Sequence, residues 1–579
     1  MEIKYVTPKS KGTATVTVAA NNSSAGAKAI ADYICDGTED NVQIQAALDS
    51  LGSVGGKVHL ASGTFNTAAT VTLPSNSVLC GMGKSTIIKT NGFNDSIIEN
   101  DDLDNGNDNI ELRDLTIDGK LQNTDGATPY QIYFRNSRGI LVTNITIDSA
   151  TSGIFTTTFE TDTFNSVGHG LSNNDRIRVT TESETNDLPN GIVVYKNYYV
   201  INSTEDTFKL SESEGGASVD LLDNGTGTHK WIKSTAGDGI KFGACQHCQI
   251  SHISMNGGKH GIYVGDGNET VDCSAYITIS DVVSKNTQVE HICLETGNQS
   301  YGYNHHITIT NVTGHDAGQH GIYIDYTHHV TVSNCAIYNT VERGFRTNDN
   351  ASDLTFTNCI FDGTLNTNAS TFWLNDETDN VVISNCQFKN SQYMGIRVGG
   401  AENVAISNCY IENVVKHGMY LGGSNITVSD CIINNTTENA FFITRGVKIT
   451  GCVCINIGEY CAMITSSGDN VTISNCQFKT IGVTTSRAIW CEGDNFICTN
   501  NLFTDYCNEA IIRLQSGTNA IIMGNIFQDP AGDWTDVYVD IQSGWTYAWI
   551  TNNDFSGDAT PTSDAGTNIT IQDNMPYVP

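Results

Sequence analysis

The sequence predicts an all-β chain wound as a right-handed parallel β-helix, a solenoid with an N-terminal capping helix and a small inserted all-β domain. Three observations predict it. A short motif recurs through most of the length, a Gly-led apolar strand lies between its copies, and a clearly amphipathic helix stands ahead of the repeats.

The motif is clearest as VTISNCQF ending at Phe478, VVISNCQF at Phe388, VAISNCYI at Ile411 and VTVSNCAI at Ile337. Degenerate copies place a turn residue at Asp114, Asn144, His252, Asp281, Asn311, Asn334, Asn358, Asn385, Asn408, Asp430, Gly451, Asn475, Asn500, Gly524, Asn552 and Asp573. Apart from one gap, spacings run from 21 (Asp430 to Gly451) to 30 (Asp114 to Asn144), one coil per repeat. The second strand reads GIYV from Gly261, GIYI from Gly321, GIRV from Gly395 and GMYL from Gly418. Apolar residues alternate in both strands, so each has one face to bury, and only stacked coils bury it. Asn tolerates left-handed backbone and its amide can bond the next coil, so the Asn series predicts a buried ladder at a sharp bend.

Cysteines follow that series by one residue: Cys335, Cys359, Cys386, Cys409, Cys431, Cys452 and Cys476. Coils stack about 4.8 Å apart with parallel side-chain vectors. A disulfide needs Cβ atoms about 3.8 Å apart and angled towards each other. These cysteines are therefore predicted to be free, inward-facing apolar fillers. No closed tetrahedral spacing appears, so neither a metal nor another cofactor is expected. A bound calcium ion is left open without any motif to indicate it.

The helix is DNVQIQAALDSL, residues 40–51, with Ile44, Ala47, Leu48 and Leu51 on one face and Gly52 as a stop. A solenoid end exposes core and needs such a cap. The repeat breaks between Asn144 and His252, where short strands and tight turns predict an inserted domain. The expected domains are 1–52 (N-terminal segment and capping helix), 53–152 (first coils), 153–235 (inserted β domain) and 236–579 (main β-helix).

A formal net charge of −33 repels phosphates and disfavours a nucleic-acid partner. No run of about eighteen apolar residues exists, so membrane insertion is not expected. The N-terminus lacks the apolar stretch of a secretory signal, which favours either a trimmed chain or another route to the outside.

The segment CDGTEDNVQIQAALDSLGSVGGKVHLASGTF, with the coil repeats, resembles the pectin-lyase-like β-helix superfamily, of the phage tailspike and polysaccharide depolymerase type. The inserted segment, with its H-G-L, N-Y-Y-V and D-T-F-K-L-S patterns, is similar to modules of phage tail and fibre proteins. The resemblance implies a polysaccharide ligand, an extracellular or virion-surface location, and a homotrimer of the kind tailspikes form. No separate trimerisation segment is visible after Asp573. The resemblance does not choose a reaction.

Function is expected on the outward faces of the Gly-led strands. In GIYIDY, Ile322 and Ile324 point in, and Tyr323 and Asp325 point out. The same register gives an outward row of Lys241, Tyr263, Cys293, Tyr323, Arg346, Trp373, Arg397, Tyr420, Phe442, Ile464, Trp490, Arg513 and Tyr538. An exposed aromatic and Arg stripe fits either sugar-ring stacking or burial at a subunit contact. Tyr263, Arg343, Arg346, Trp373, Arg397 and Tyr420 are the expected substrate-binding residues. Before the Gly position stand His260, His291 and His320. Beside them, Asp266, Glu295, Asp325 and Tyr323 complete the expected catalytic cluster, because titratable groups stacked in register shift one another's ionisation.

Carboxylates on adjacent coils, Glu295 and Asp325, would stand about 5 Å apart, the spacing of a retaining glycosidase. Asp266 with Asp325 would stand about 9–10 Å apart, near the inverting range. β-Elimination would use His320 or Tyr323 as base, with Arg343 and Arg346 neutralising a uronate. HGIYIDYTHH is similar to the Y-G-F-D-P-H segment of alginate epimerases but lacks its Pro, and that likeness implies Asp325 and His328 in the site. A non-catalytic glycan-binding adhesin or structural spike is the alternative.

Overall fold

The computed structural model describes residues 15–120, 130–181, 186–234, 237–265, 273–296, 302–481, 487–504, 511–528, 538–555 and 562–574. They divide into two compact units, Met1–Thr327 and His328–Pro579. Both are built from short parallel strands stacked coil on coil, a parallel β-helix.

In the first unit the helix spans Asn41–Asp49 and buries Ile44, Ala47 and Leu48. It packs on strands Thr15–Ala19, Gly56–Leu60 and Val71–Leu73. Asp40 is fully buried at its start; its carboxylate accepts from the backbone N–H of Gly37 and of Asn66, both at 2.8 Å. Parallel coils then run through Glu111–Asp118, Leu141–Thr158, Gln246–Gly257, Ala275–Lys285 and Asn304–His315. The Gly-led strands stack as Ile132–Arg135, Ile240–Gly243, Ile262–Val264, Ile292–Leu294 and His320–Ile324.

Between Ala150 and Ser234, which pair with each other, the chain runs antiparallel instead. Its strands enclose a core of their own, with Phe155, Phe164, Tyr198, Phe208 and Trp231. This segment leans back on the coils. Arg178, buried, donates to the Asp316 carbonyl, and Asn197 donates to the Gln288 carbonyl at 3.3 Å.

In the second unit each complete coil has three strands, for example Glu402–Ser407, Tyr410–Val414 and Met419–Leu421. All sixteen turn positions of the sequence series adopt left-handed backbone, with φ between 51° and 69°. The series is not buried, as expected, but exposed: Asn334, Asn358, Asn385 and Asn408 face solvent. The bend turns the side chain outward, where Asn358 donates to Asn334 at 3.3 Å. Two further left-handed Asn ladders escaped the sequence reading. One runs Asn390, Asn413, Asn435 and the other Asn380, Asn403, Asn425, each bonded amide to amide between coils.

The seven cysteines are free and buried. Every thiol donates to the carbonyl two residues earlier, from Cys335 on Ser333 at 3.3 Å to Cys476 on Ser474 at 3.3 Å. After Cys476 the same column continues as buried asparagines, Asn501, Asn525 and Asn553, and then Asn574. Stacked phenylalanines, Phe345, Phe361, Phe372 and Phe388, fill the adjacent core.

Candidate functional site

Register fixes which side chains of the first unit meet. Ile262, Ile292 and Ile322 are Cα partners, so Gly261, His291 and Gly321 share one row, and His260, Glu290 and His320 share the row before it. His291 is therefore not a member of the outward cluster, and its expected catalytic role is corrected. It occupies the slot that glycine holds on the neighbouring coils. There a Cβ on Gly261 would sit 2.5 Å from the His291 carbonyl. The imidazole turns into the core, where Nδ1 lies 2.9 Å from Ser284 Oγ. Burial drives its pKa down to about 3. Glu290, overlooked because the strands were aligned on Gly instead of Ile, takes its place in the row.

Glu290 completes a buried clamp. His260 Nδ1 donates to Asp238 Oδ1 at 2.7 Å, and Nε2 lies 3.1 Å from Glu290 Oε2. Burial alone would lower the His260 pKa, but the Asp238 and Glu290 carboxylates lift it to about 9. Burial works to raise Asp238, yet the His260 imidazolium and Lys241 hold it below the usual carboxylate range. For Glu290 burial wins and the pKa rises, against the pull of His260. His260 is thus an imidazolium spacer between two acids, unsuited to act as a general base near neutrality.

Next to this clamp lies the predicted carboxylate pair. Tyr263 donates to Glu295 Oε2 and Tyr323 to Asp325 Oδ2, both at 3.2 Å. The Asp325 N–H bonds the Leu294 carbonyl, which sets Glu295 and Asp325 on adjacent coils. His320 is buried and stacks on Tyr323, with ring centroids 5.8 Å apart. Four positions of the outward rows on these coils are more covered than expected: Lys241 and Tyr263 are 8% exposed, Asp325 5% and Cys293 1%. Burial, with the Cys293 thiol and Glu295, pushes the Tyr263 phenol far above its ordinary range. Lys241 lies over the rings of Tyr130 and Tyr263, at 4.7 and 5.0 Å. Asp266 lies outside the described residues.

The second unit carries the Arg and aromatic row. Trp373 has Arg343, Arg346 and Arg397 over its ring at 4.4, 5.1 and 4.8 Å, and Arg397 also reaches Tyr420 at 5.6 Å. Burial brings the Arg343 guanidinium down to about 10, with Arg346 and Arg397 adding to it against Glu342. Two members of the predicted row are corrected. Ile464 and Tyr538 are buried, and Met463 and Asp540 hold the outward positions, as partners of Phe442 and Arg513. Irregular spacing at these coils broke the count.

A cleft of about 330 Å³ opens beside this row, lined by Tyr393, Arg397, Lys416, His417, Tyr420, Glu438 and Phe442, among others. Burial and then Lys416 take the His417 pKa down to about 3. Burial raises that of Glu438, with Glu459 adding to it against Lys416. Sequence reading placed His417 in a row but did not reach Glu438.

The family described as right handed beta helix region matches residues 232–367 and 364–478. The fold is a right-handed β-helix. A pre-neck appendage protein of Bacillus phage B103 is 32% identical over 91 residues, 15% of this chain and 10% of the relative's length. Among solved structures, the N-terminal fragment of the bacteriophage Phi29 gene product 12 is 15% identical, covering 92% of this chain and 91% of that one with a TM-score of 0.41. The catalytic domain of a GH87 α-1,3-glucanase, in complex with nigerose, is 12% identical over 78% of this chain and 67% of its own, at 0.43. PfbA, a surface adhesin of Streptococcus pneumoniae, is 14% identical over 80% and 89%, at 0.38. Among the described residues no helix is long and apolar enough to cross a membrane.

Proposed function

We propose that this chain binds an extended polysaccharide and cleaves it by hydrolysis, as a tailspike-type depolymerase working at a virion or other extracellular surface. The observation that carries the reading is the Glu295 and Asp325 pair, one coil apart, each carboxylate accepting a tyrosine hydroxyl. Strand spacing of about 4.8 Å matches the roughly 5 Å separation of a retaining glycosidase. The two carboxylates also differ in surroundings, Asp325 buried and Glu295 partly exposed. Such unlike environments are what separate an acid from a nucleophile. Asp325 would protonate the leaving oxygen, and Glu295 would attack the anomeric carbon and release the sugar to water. In the second unit the half-exposed Trp373, Arg397 and Tyr420, with the adjoining cleft, support binding of sugar rings and their polar groups. The stretch shared with a phage appendage protein supports the virion setting.

The test is incubation of the full chain with bacterial capsular polysaccharides, alginate and pectins, reading new reducing ends and unsaturated-uronate absorbance. Reducing ends without unsaturation are expected, and the Glu295→Gln Asp325→Asn protein should lose them by about 10³-fold or more. Unsaturated products would replace hydrolysis by elimination. Undiminished products in the double variant would overturn the assignment, and binding without any product would favour a non-catalytic adhesin.

A further inference from the structure

We infer that His260, Glu290 and Cys293 form a binding site for a borderline divalent cation of the zinc type. One ring nitrogen of His260, a Glu290 carboxylate oxygen and Cys293 Sγ all lie within 4.8 Å of one another, and all three residues are buried. Zinc bonds of about 2.0–2.3 Å put tetrahedral ligands roughly 3.3–3.7 Å apart, so small rotamer shifts close the set. His260 and Glu290 are already at 3.1 Å.

Two features point to a cation. The donor set mixes nitrogen, oxygen and sulfur, which selects zinc-like ions over the all-oxygen preference of magnesium or calcium. Asp238 receives the other ring N–H of His260 at 2.7 Å, the outer carboxylate that orients a metal-binding histidine.

The backbone is held for the task, since Ile292–Leu294 is paired to Ile262–Val264 on one side and His320–Ile324 on the other. Three protein ligands leave a tetrahedral ion one further position to fill, and Glu295 Oε2 lies 3.8 Å from Cys293 Sγ. On binding, the Cys293 thiol proton and the His260 Nε2 proton pass to solvent. The site does not depend on glycan cleavage and would exist equally in a non-catalytic protein.

The experiment uses the full chain, stripped with chelator and titrated with cobalt(II) and then zinc(II). One equivalent of cobalt should produce a thiolate-to-cobalt charge-transfer band that zinc abolishes. Cys293→Ser should remove the band, Glu290→Gln should weaken cobalt binding, and Asp238→Asn should weaken it by about 10- to 100-fold. Strand content by circular dichroism confirms that each variant is folded, and any one folded variant suffices. The band should persist in the Asp325→Asn protein, so loss of cleavage and loss of metal are read separately. A wild-type chain without the band, or a band retained in Cys293→Ser, overturns the site.

Discussion

Replacing Asn525 by Ala tests the buried amide column at its centre. The Asn525 side-chain Oδ1 accepts from the backbone N–H and the side-chain amide of Asn501, both at 3.0 Å. Its amide donates to the Cys498 carbonyl at 2.9 Å and to Asn553 Oδ1 at 3.0 Å. The Asn501 side chain keeps its bond to the Ile473 carbonyl, and Asn553 keeps the Asn525 N–H. Two fully buried backbone groups, the Asn501 N–H and the Cys498 carbonyl, lose this partner, at about 1–3 kcal/mol each. The expected cost is about 3 kcal/mol or somewhat more once the void is counted. Asn525→Asp, nearly the same shape, should cost at least as much, because it offers oxygen where Cys498 and Asn553 need a donor. Urea denaturation gives the loss, and hydrogen exchange at the Asn501 amide localises it. Both variants within about 0.5 kcal/mol of wild type would refute the idea that amide polarity, and not mere filling, holds these coils.

Three further expectations follow from the same geometry. Asn408→Ala, at φ 51°, should destabilise by about 1 kcal/mol while Asn408→Gly escapes that backbone cost, as thermal denaturation would report. His417, with a folded pKa of about 3 against about 6.5 unfolded, leaves the unfolded chain binding more protons between those values. Its contribution is thus complete above pH 6.5 and falls away as pH drops towards 3, by up to about 4 kcal/mol; His417→Gln should flatten that part of the urea-midpoint profile. Trp373→Ala removes three guanidinium–ring contacts of about 0.5–1 kcal/mol each, so a loss near 2 kcal/mol and weaker retention in polysaccharide affinity gels are expected.

The fold was legible because coil-to-coil ladders demand particular residues. Left-handed backbone selected Asn, Asp or Gly at most turn positions, and an inward slot next to it selected Cys. Where a second residue satisfies the same demand, reading faltered. Asn501, Asn525 and Asn553 follow Asn500, Gly524 and Asn552 directly, so they look like part of the turn although they line the interior. The candidate site was legible in its Tyr and carboxylate rows, whose alternation is local. It failed at Glu290, because Gly alignment ignored that His291 fills a glycine slot from the inside. Burial of Asp325 and Tyr263 was invisible for a different reason: it depends on what lies over the coil, which alternation along one strand does not record.

The amide ladders also make a coil a removable part. Asn435 bonds Asn413, and Asn425 bonds Asn403, each 22 positions back, so this stretch repeats with a constant offset. Excising residues 409–430 would join Asn408 to Cys431, keep each ladder in phase, and strip His417 and Tyr420 from the cleft wall. Loss or duplication of such a cassette would shorten or lengthen the stack by one strand spacing, so the length of the outward Arg and aromatic row can be adjusted in whole steps without redesigning the interior.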